Sequence, residues 1–183
     1  MTTTDRLLDA AEFRMRRGGY NAVSFRDLAS DTNIKSSSVH YHYPRKEDLG
    51  VALVARYSER VFERLAKAAA KAETPREKLM AFRSVYRMAL TNDDAICLCG
   101  LLGAETAGLP DVMVRDIQAF FEANIAWVAQ ALPSGVSKSE RRKRASALVA
   151  GHQGALMLAT SMADRKLFDT VTKHLIDTCL AEG

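Results

Sequence analysis

The residues best suited to contact a patterned, charged partner are concentrated in one short stretch, IKSSSVHYHYP, at positions 34 to 44. Lys35, Ser36, Ser37, Ser38, His40, Tyr41 and His42 leave Val39 as the main apolar residue there, with Tyr43 closing the end. A helix of this composition must face something polar. Serine hydroxyls donate or accept hydrogen bonds, histidine and tyrosine add stacking surface, and Lys35 and Lys46 bracket the stretch with positive charge. Such groups can read base edges and hold phosphates in a major groove. The same composition also fits a solvated helix in an ordinary helical bundle, and the residue types alone leave both readings open.

The flanking sequence says how this stretch is held. Ser24 followed by Asp27 has the form of a capping box, and Phe25, Leu28 and Ala29 fall on one helical face, so a helix is expected to begin at Ser24. Asp31, Thr32 and Asn33 favour a turn, and Ile34 is placed to plug the angle between two helices. The polar helix should run from about Lys35 to Tyr43 and stop at Pro44, which disfavours helix in the residue before it. Two short helices across a tight turn make a helix-turn-helix.

Residues 7–53 resemble the N-terminal DNA-binding domain of the TetR family of bacterial repressors. The resemblance rests on a first helix with Leu8, Ala10 and Ala11, the Gly19-Tyr20 stop, the S-x-R-D-L-A helix, the H-Y-H-Y-P segment and the Lys46-Glu47-x-Leu49 opening of a fourth helix. The chain departs from the family in the turn. Where Gly-Val-Ser is usual it has Asn33-Ile34-Lys35, so the usual serine cap of the second helix is missing and Ser36 is the expected substitute. The resemblance implies an all-α homodimer of about nine helices. An N-terminal three-helix helix-turn-helix domain, residues 1–48, would join a C-terminal helical ligand-binding and dimerisation domain, residues 49–183. Candidate DNA contacts are Ser24, Arg26, Lys35, Ser36, Ser37, Ser38, His40, Tyr41 and Lys46. The implied partners are a palindromic double-stranded DNA operator, a second copy through the last two helices, and a small-molecule effector.

At 183 residues and 48% apolar content the chain can bury a sizeable core, and its 4 prolines and 10 glycines suit helices. The net charge of +4 fits a nucleic-acid partner without demanding one. The excess is not N-terminal, since the first 50 residues hold 8 Lys and Arg against 7 Asp and Glu. The start MTTTDRLLDAAEF has charges inside its apolar stretch, unlike a signal peptide, and no run could span a bilayer, so a cytoplasmic protein without membrane contact is expected. Structural disulfides among Cys97, Cys99 and Cys179 are not expected in such a compartment.

Further helices follow from the pattern. The fourth, near 45–72, carries Leu49, Leu53, Tyr57, Val61 and Leu65 at every fourth position. Thr74-Pro75-Arg76-Glu77 starts a fifth with the stripe Leu79, Phe82, Val85, Tyr86 and Ala89. A short sixth should begin at Thr91-Asn92-Asp93-Asp94 and run through CLCGLLGAETAG, and an apolar seventh spans Pro110 to Leu132. Ser137 to Glu140 opens an eighth whose run Arg141–Arg144 reads as a solvated face. This helix turns rich in Ala and Gly, and Asp164 caps a ninth.

Helices five to eight supply Phe82, Tyr86, Phe120, Phe121, Trp127 and Met157, which points to a small, largely apolar effector; Glu105, Asn124, His152 and Gln153 are the polar candidates. Cys97 and Cys99, expected in the first turns of helix six, are either packing residues or sensors of a thiol-reactive effector, with Asp93 and Asp94 opposing a thiolate there. His40 and His42 lie two apart on a helix and cannot share a metal, and Cys97-x-Cys99 lacks the further ligands of a zinc site. There is no phosphate loop, nucleophile elbow or paired-carboxylate setting, so neither an enzyme nor a cofactor is expected. The competing class is a helical homodimeric ligand-binding or interaction module without operator binding.

Overall fold

The protein, seen in a computed structural model, is described over residues 2–92 and 96–181. These form nine α-helices and two 3-10 turns: α1 (Thr3–Gly18), α2 (Phe25–Thr32), α3 (Ser36–His42), α4 (Lys46–Ala69), α5 (Pro75–Asn92), α6 (Leu98–Ala104), α7 (Asp111–Ala131), α8 (Lys138–Ser161) and α9 (Arg165–Leu180), with the turns at Tyr20–Ala22 and Thr106–Gly108. The chain divides into two compact units, residues 1–59 with 98–118 and residues 60–97 with 119–183.

The first unit is built on α1, whose Leu7, Leu8, Ala11 and Met15 are buried as their spacing requires. Thr2 caps it with a full capping box to Asp5. Gly19 ends it at φ 76°, ψ −175°, a backbone region that only glycine enters without strain. A Cβ at Gly19 would land on the Glu105 carboxylate, whose Oε2 accepts the Tyr20 N–H at 2.9 Å. Gly50 on α4 likewise leaves room for the Met113 thioether of α7.

Ser24 caps α2 as expected: its hydroxyl oxygen accepts the Asp27 N–H at 3.2 Å and its O–H donates to the Asp27 carboxylate. Ser24→Ala should therefore cost about 1 kcal/mol, read as a fall in the chemical-denaturation midpoint; an unchanged midpoint would show that the cap contributes nothing. Asn33 closes α2 in the left-handed region at φ 52°, where asparagine is tolerated better than most residues. Helix α3 starts differently from the expectation. Lys35 is its N-cap with no side-chain hydrogen bond, and Ser36 is the first helical residue rather than the substitute cap.

The second unit gathers Val61 and Leu65 of α4 with α5, α8 and α9 and most of α7. Thr74 and Glu77 form the reciprocal box that starts α5, and Ser137 and Asp164 cap α8 and α9. Gly151 on α8 lets Leu175 of α9 approach closely. The basic run of α8 is less free than its sequence suggests. Arg142 pairs with Glu122 at 2.9 Å, while Arg144 pairs with Glu140 and donates to the Cys179 and Ala181 carbonyls, satisfying open acceptors at the end of α9. Arg83 and Arg87 of α5 converge on Asp169 of α9, and Arg87 holds its carboxyl below the usual range.

Helix α6 is also shorter than expected, from Leu98 to Ala104 and followed by a separate 3-10 turn. Cys97 precedes it and Cys99 is its second residue. Asp93 and Asp94, expected to begin that helix, lie outside the described residues. Among the described residues no helix is long and apolar enough to cross a membrane, and no group of three or more His, Cys, Asp and Glu could hold a metal ion.

Candidate nucleic-acid interface and ligand core

Helix α3 is anchored by one side chain. Val39 is fully buried, Tyr43 just beyond the helix is buried as well, and Ser36, Ser37, His40 and Tyr41 are exposed, Tyr41 at 84%. Ser38 and His42 are half-buried, and the His42 Nδ1 lies 3.4 Å from the Thr4 hydroxyl of α1. His40 packs edge-on against Phe25, centroids 4.7 Å apart, which orients its imidazole while leaving it accessible. The result is a short helix fixed from one side and presenting hydroxyls, an imidazole and a phenol on the other.

The remaining DNA-contact candidates differ in what they can offer. Arg26 and Lys35 are exposed. Ser24 spends its hydroxyl on capping α2. Lys46, the first residue of α4, sits 4.2 Å from the centre of the Tyr20 ring, and burial lowers its pKa. Its cation thus has a fixed seat against the Tyr20 ring at the start of α4.

The ligand candidates divide between the two units. Phe120, Asn124, Trp127, His152 and Gln153 fall in the second; Cys99 and Glu105 fall in the first, where Glu105 is engaged by Tyr20. In the second unit Phe82 stacks on Trp127 at 5.9 Å and tilts against Tyr86 at 4.7 Å. The Tyr86 hydroxyl donates to Asn124 Oδ1 at 2.9 Å, and Asn124 Nδ2 donates to the Phe120 carbonyl at 2.7 Å, so this buried amide is held on both sides. His152 is fully buried against Phe82, Tyr86 and Phe168. Burial pushes its pKa down to about 4, against a smaller opposing effect of its hydrogen bond to Leu148, with Arg83 lowering it further.

Cys97 and Cys99 are both buried, at 2% and 0% exposure, so a reagent would reach them only through a local opening. Met157, counted with the inner apolar residues from sequence, is 54% exposed. Sequence reasoning had no signal for the Tyr86–Asn124 bond or for Phe168 beside His152, because periodicity marks a face as apolar without saying which hydroxyl or ring meets which partner.

The profile described as bacterial regulatory proteins, tetR family, matches residues 7–53, the region of α1 to the start of α4. Among curated proteins none matches. Among solved structures, a TetR transcriptional regulator from Legionella pneumophila is 29% identical, with 99% of this chain and 98% of that one covered and a TM-score of 0.91. A TetR-family regulator from Agrobacterium tumefaciens is 25% identical, with 98% of each chain covered and a TM-score of 0.88. The reduced form of NemR from E. coli shares the fold at 21% identity, with 94% of each chain covered and a TM-score of 0.82. With the helix-turn-helix seated as described, residues 7–53 match the DNA-binding region of the tetR family of bacterial regulatory proteins, and the likeness to TetR-family regulators runs over nearly the whole length of the chain.

Proposed function

We propose that the protein is a cytoplasmic, dimeric repressor without catalytic activity, released from a palindromic operator by a small, largely apolar, noncovalent effector. Residues 1–48 bind DNA with α3 in the major groove, and residues 49–183 hold the effector and a second copy. The observation that carries the reading is the polarity of α3, which buries Val39 alone and exposes Ser36, Ser37, His40 and Tyr41. Pairing is supported on the α8 side by Met157, Leu158 and Met162 at 54%, 44% and 64% exposure, on a helix that also exposes the small residues Ala147 and Ala150. The burial of Cys97 and Cys99 favours a noncovalent effector over a thiol-reactive one. Release requires the effector to prefer a state with the two α3 helices wrongly spaced, since a ligand binding both states equally shifts nothing.

Selection from random duplexes tests this. The recovered site should be a near-palindrome with half-sites about 34 Å apart or a multiple of that. Ser37→Ala should change which sequences are recovered. Lys46→Ala should weaken all of them alike and reduce the slope of log affinity on log salt by roughly one. Identical behaviour of the two variants would refute this division of labour, and a protein that selects no sequence at all would instead be a helical ligand-binding module.

A further inference from the structure

His152 combines burial with a hydrogen-bonding atom that nothing satisfies. Its ring lies edge-on to Phe82, Tyr86 and Phe168, with centroids 5.3, 5.8 and 6.0 Å away. Nδ1 is 2.8 Å from the Leu148 carbonyl oxygen, one turn back along α8. A carbonyl oxygen only accepts, so Nδ1 carries the proton. In this apolar setting the ring stays neutral, which leaves Nε2 as a bare lone pair. That lone pair is sealed from solvent and has no hydrogen-bond partner among the described residues. A buried acceptor left unmade costs more than one replaced by an apolar group, so the site is complementary to a donor.

Tyr86 and Arg83 are committed elsewhere, whereas the buried Gln153 Nε2, one residue along α8, also lacks a partner. The Tyr86 hydroxyl donates to Asn124, and Arg83 is held by Asp169 and Thr172. An anionic ligand would bring acceptors toward a lone pair, and its charge would have to be desolvated among phenyl rings. A neutral molecule with an apolar body would bring no charge among the Phe82, Tyr86 and Phe168 rings, and one O–H group on it would complete Nε2.

We infer that the second unit selects neutral phenol-type molecules, through donation of their hydroxyl to His152 Nε2, over ethers and carboxylates of the same shape. This rests on the effector reading above. The experiment uses the full chain labelled with 15N at histidine, with phenol and its short para-alkyl derivatives, their methyl ethers and the matching benzoates as probes. The phenols should move the His152 Nε2 resonance and bind roughly tenfold tighter than the ethers. His152→Leu should bring the phenols down to the affinity of the ethers and leave the ethers unchanged. The spectrum of the native protein gives the answer even if this variant does not fold. Ethers binding as tightly as phenols, benzoates binding tightest, or no binding by any series would overturn the inference. So would an Nε2 resonance already at its hydrogen-bonded position in the free protein and unmoved by phenols, which would mean that a buried water fills the role. Phenols that meet every criterion yet leave operator binding unchanged would sink the repressor reading alone. Operator release by another compound with the Nε2 resonance unmoved would sink the inference alone.

Discussion

As the pH falls from 6.5 toward 4, the folded protein is expected to lose about 3 kcal/mol of stability through His152 alone. Burial holds its pKa near 4 in the folded chain, whereas the unfolded chain has the ordinary value of 6.5. Across that window the unfolded state binds the proton and the folded state does not. The contribution is therefore fully present above 6.5, declines as the pH drops, and falls no further below about 4. Carboxylates such as Asp31, held down by Arg14, and Asp169, held down by Arg87, lose their contribution only below their ordinary value of 3.8, so the two acid limbs separate. Chemical denaturation at a series of pH values checks this. His152→Leu should flatten the upper limb and leave the lower one; equal steepness in both proteins would place the protonation elsewhere.

Gly19→Ala is expected to cost about 2–5 kcal/mol. The backbone at φ 76°, ψ −175° penalises any Cβ by roughly 1–3 kcal/mol. The added methyl also strikes the Glu105 carboxylate, and moving that group aside leaves the Tyr20 N–H without its acceptor. At Gly135, by contrast, an added Cβ meets nothing within 4 Å, so Gly135→Ala should change stability by less than about 1 kcal/mol. Thermal midpoints of the two variants should differ clearly, and similar midpoints would mean that the α1 terminus relaxes around the methyl.

What could be read from sequence was local. Ser24, Thr74, Ser137 and Asp164 cap helices where their spacing said they would, because a cap reaches only two or three residues along the chain. The polar surface of α3 was legible for the same reason, since seven consecutive residues contain one apolar side chain with nowhere to go but inward. Ser36 was misplaced because a serine near a helix start can be either the cap or the first turn, and only the backbone of Lys35 decides. Met157 and His152 share α8 and differ by about 140° around it, so a stripe of small residues did not say which of them faced the core. Glu105 with Tyr20, Asp169 with Arg83 and Arg144 with Ala181 join distant parts of the chain, and nothing near any of these residues marks its partner.

Neither compact unit is one continuous run of residues, since 98–118 complete the first and 119–183 the second. The N-terminal helices are therefore completed by a segment that lies about forty residues further along the chain. A hybrid joined at residue 48 would carry α3 with its exposed face, yet leave the Tyr20 N–H to whatever the host offers in place of Glu105. Synthesis meets the same constraint. On the ribosome the helix-turn-helix emerges first, but the unit that houses it stays incomplete until residue 118 has followed, by which time all of α5, from the other unit, has already been made.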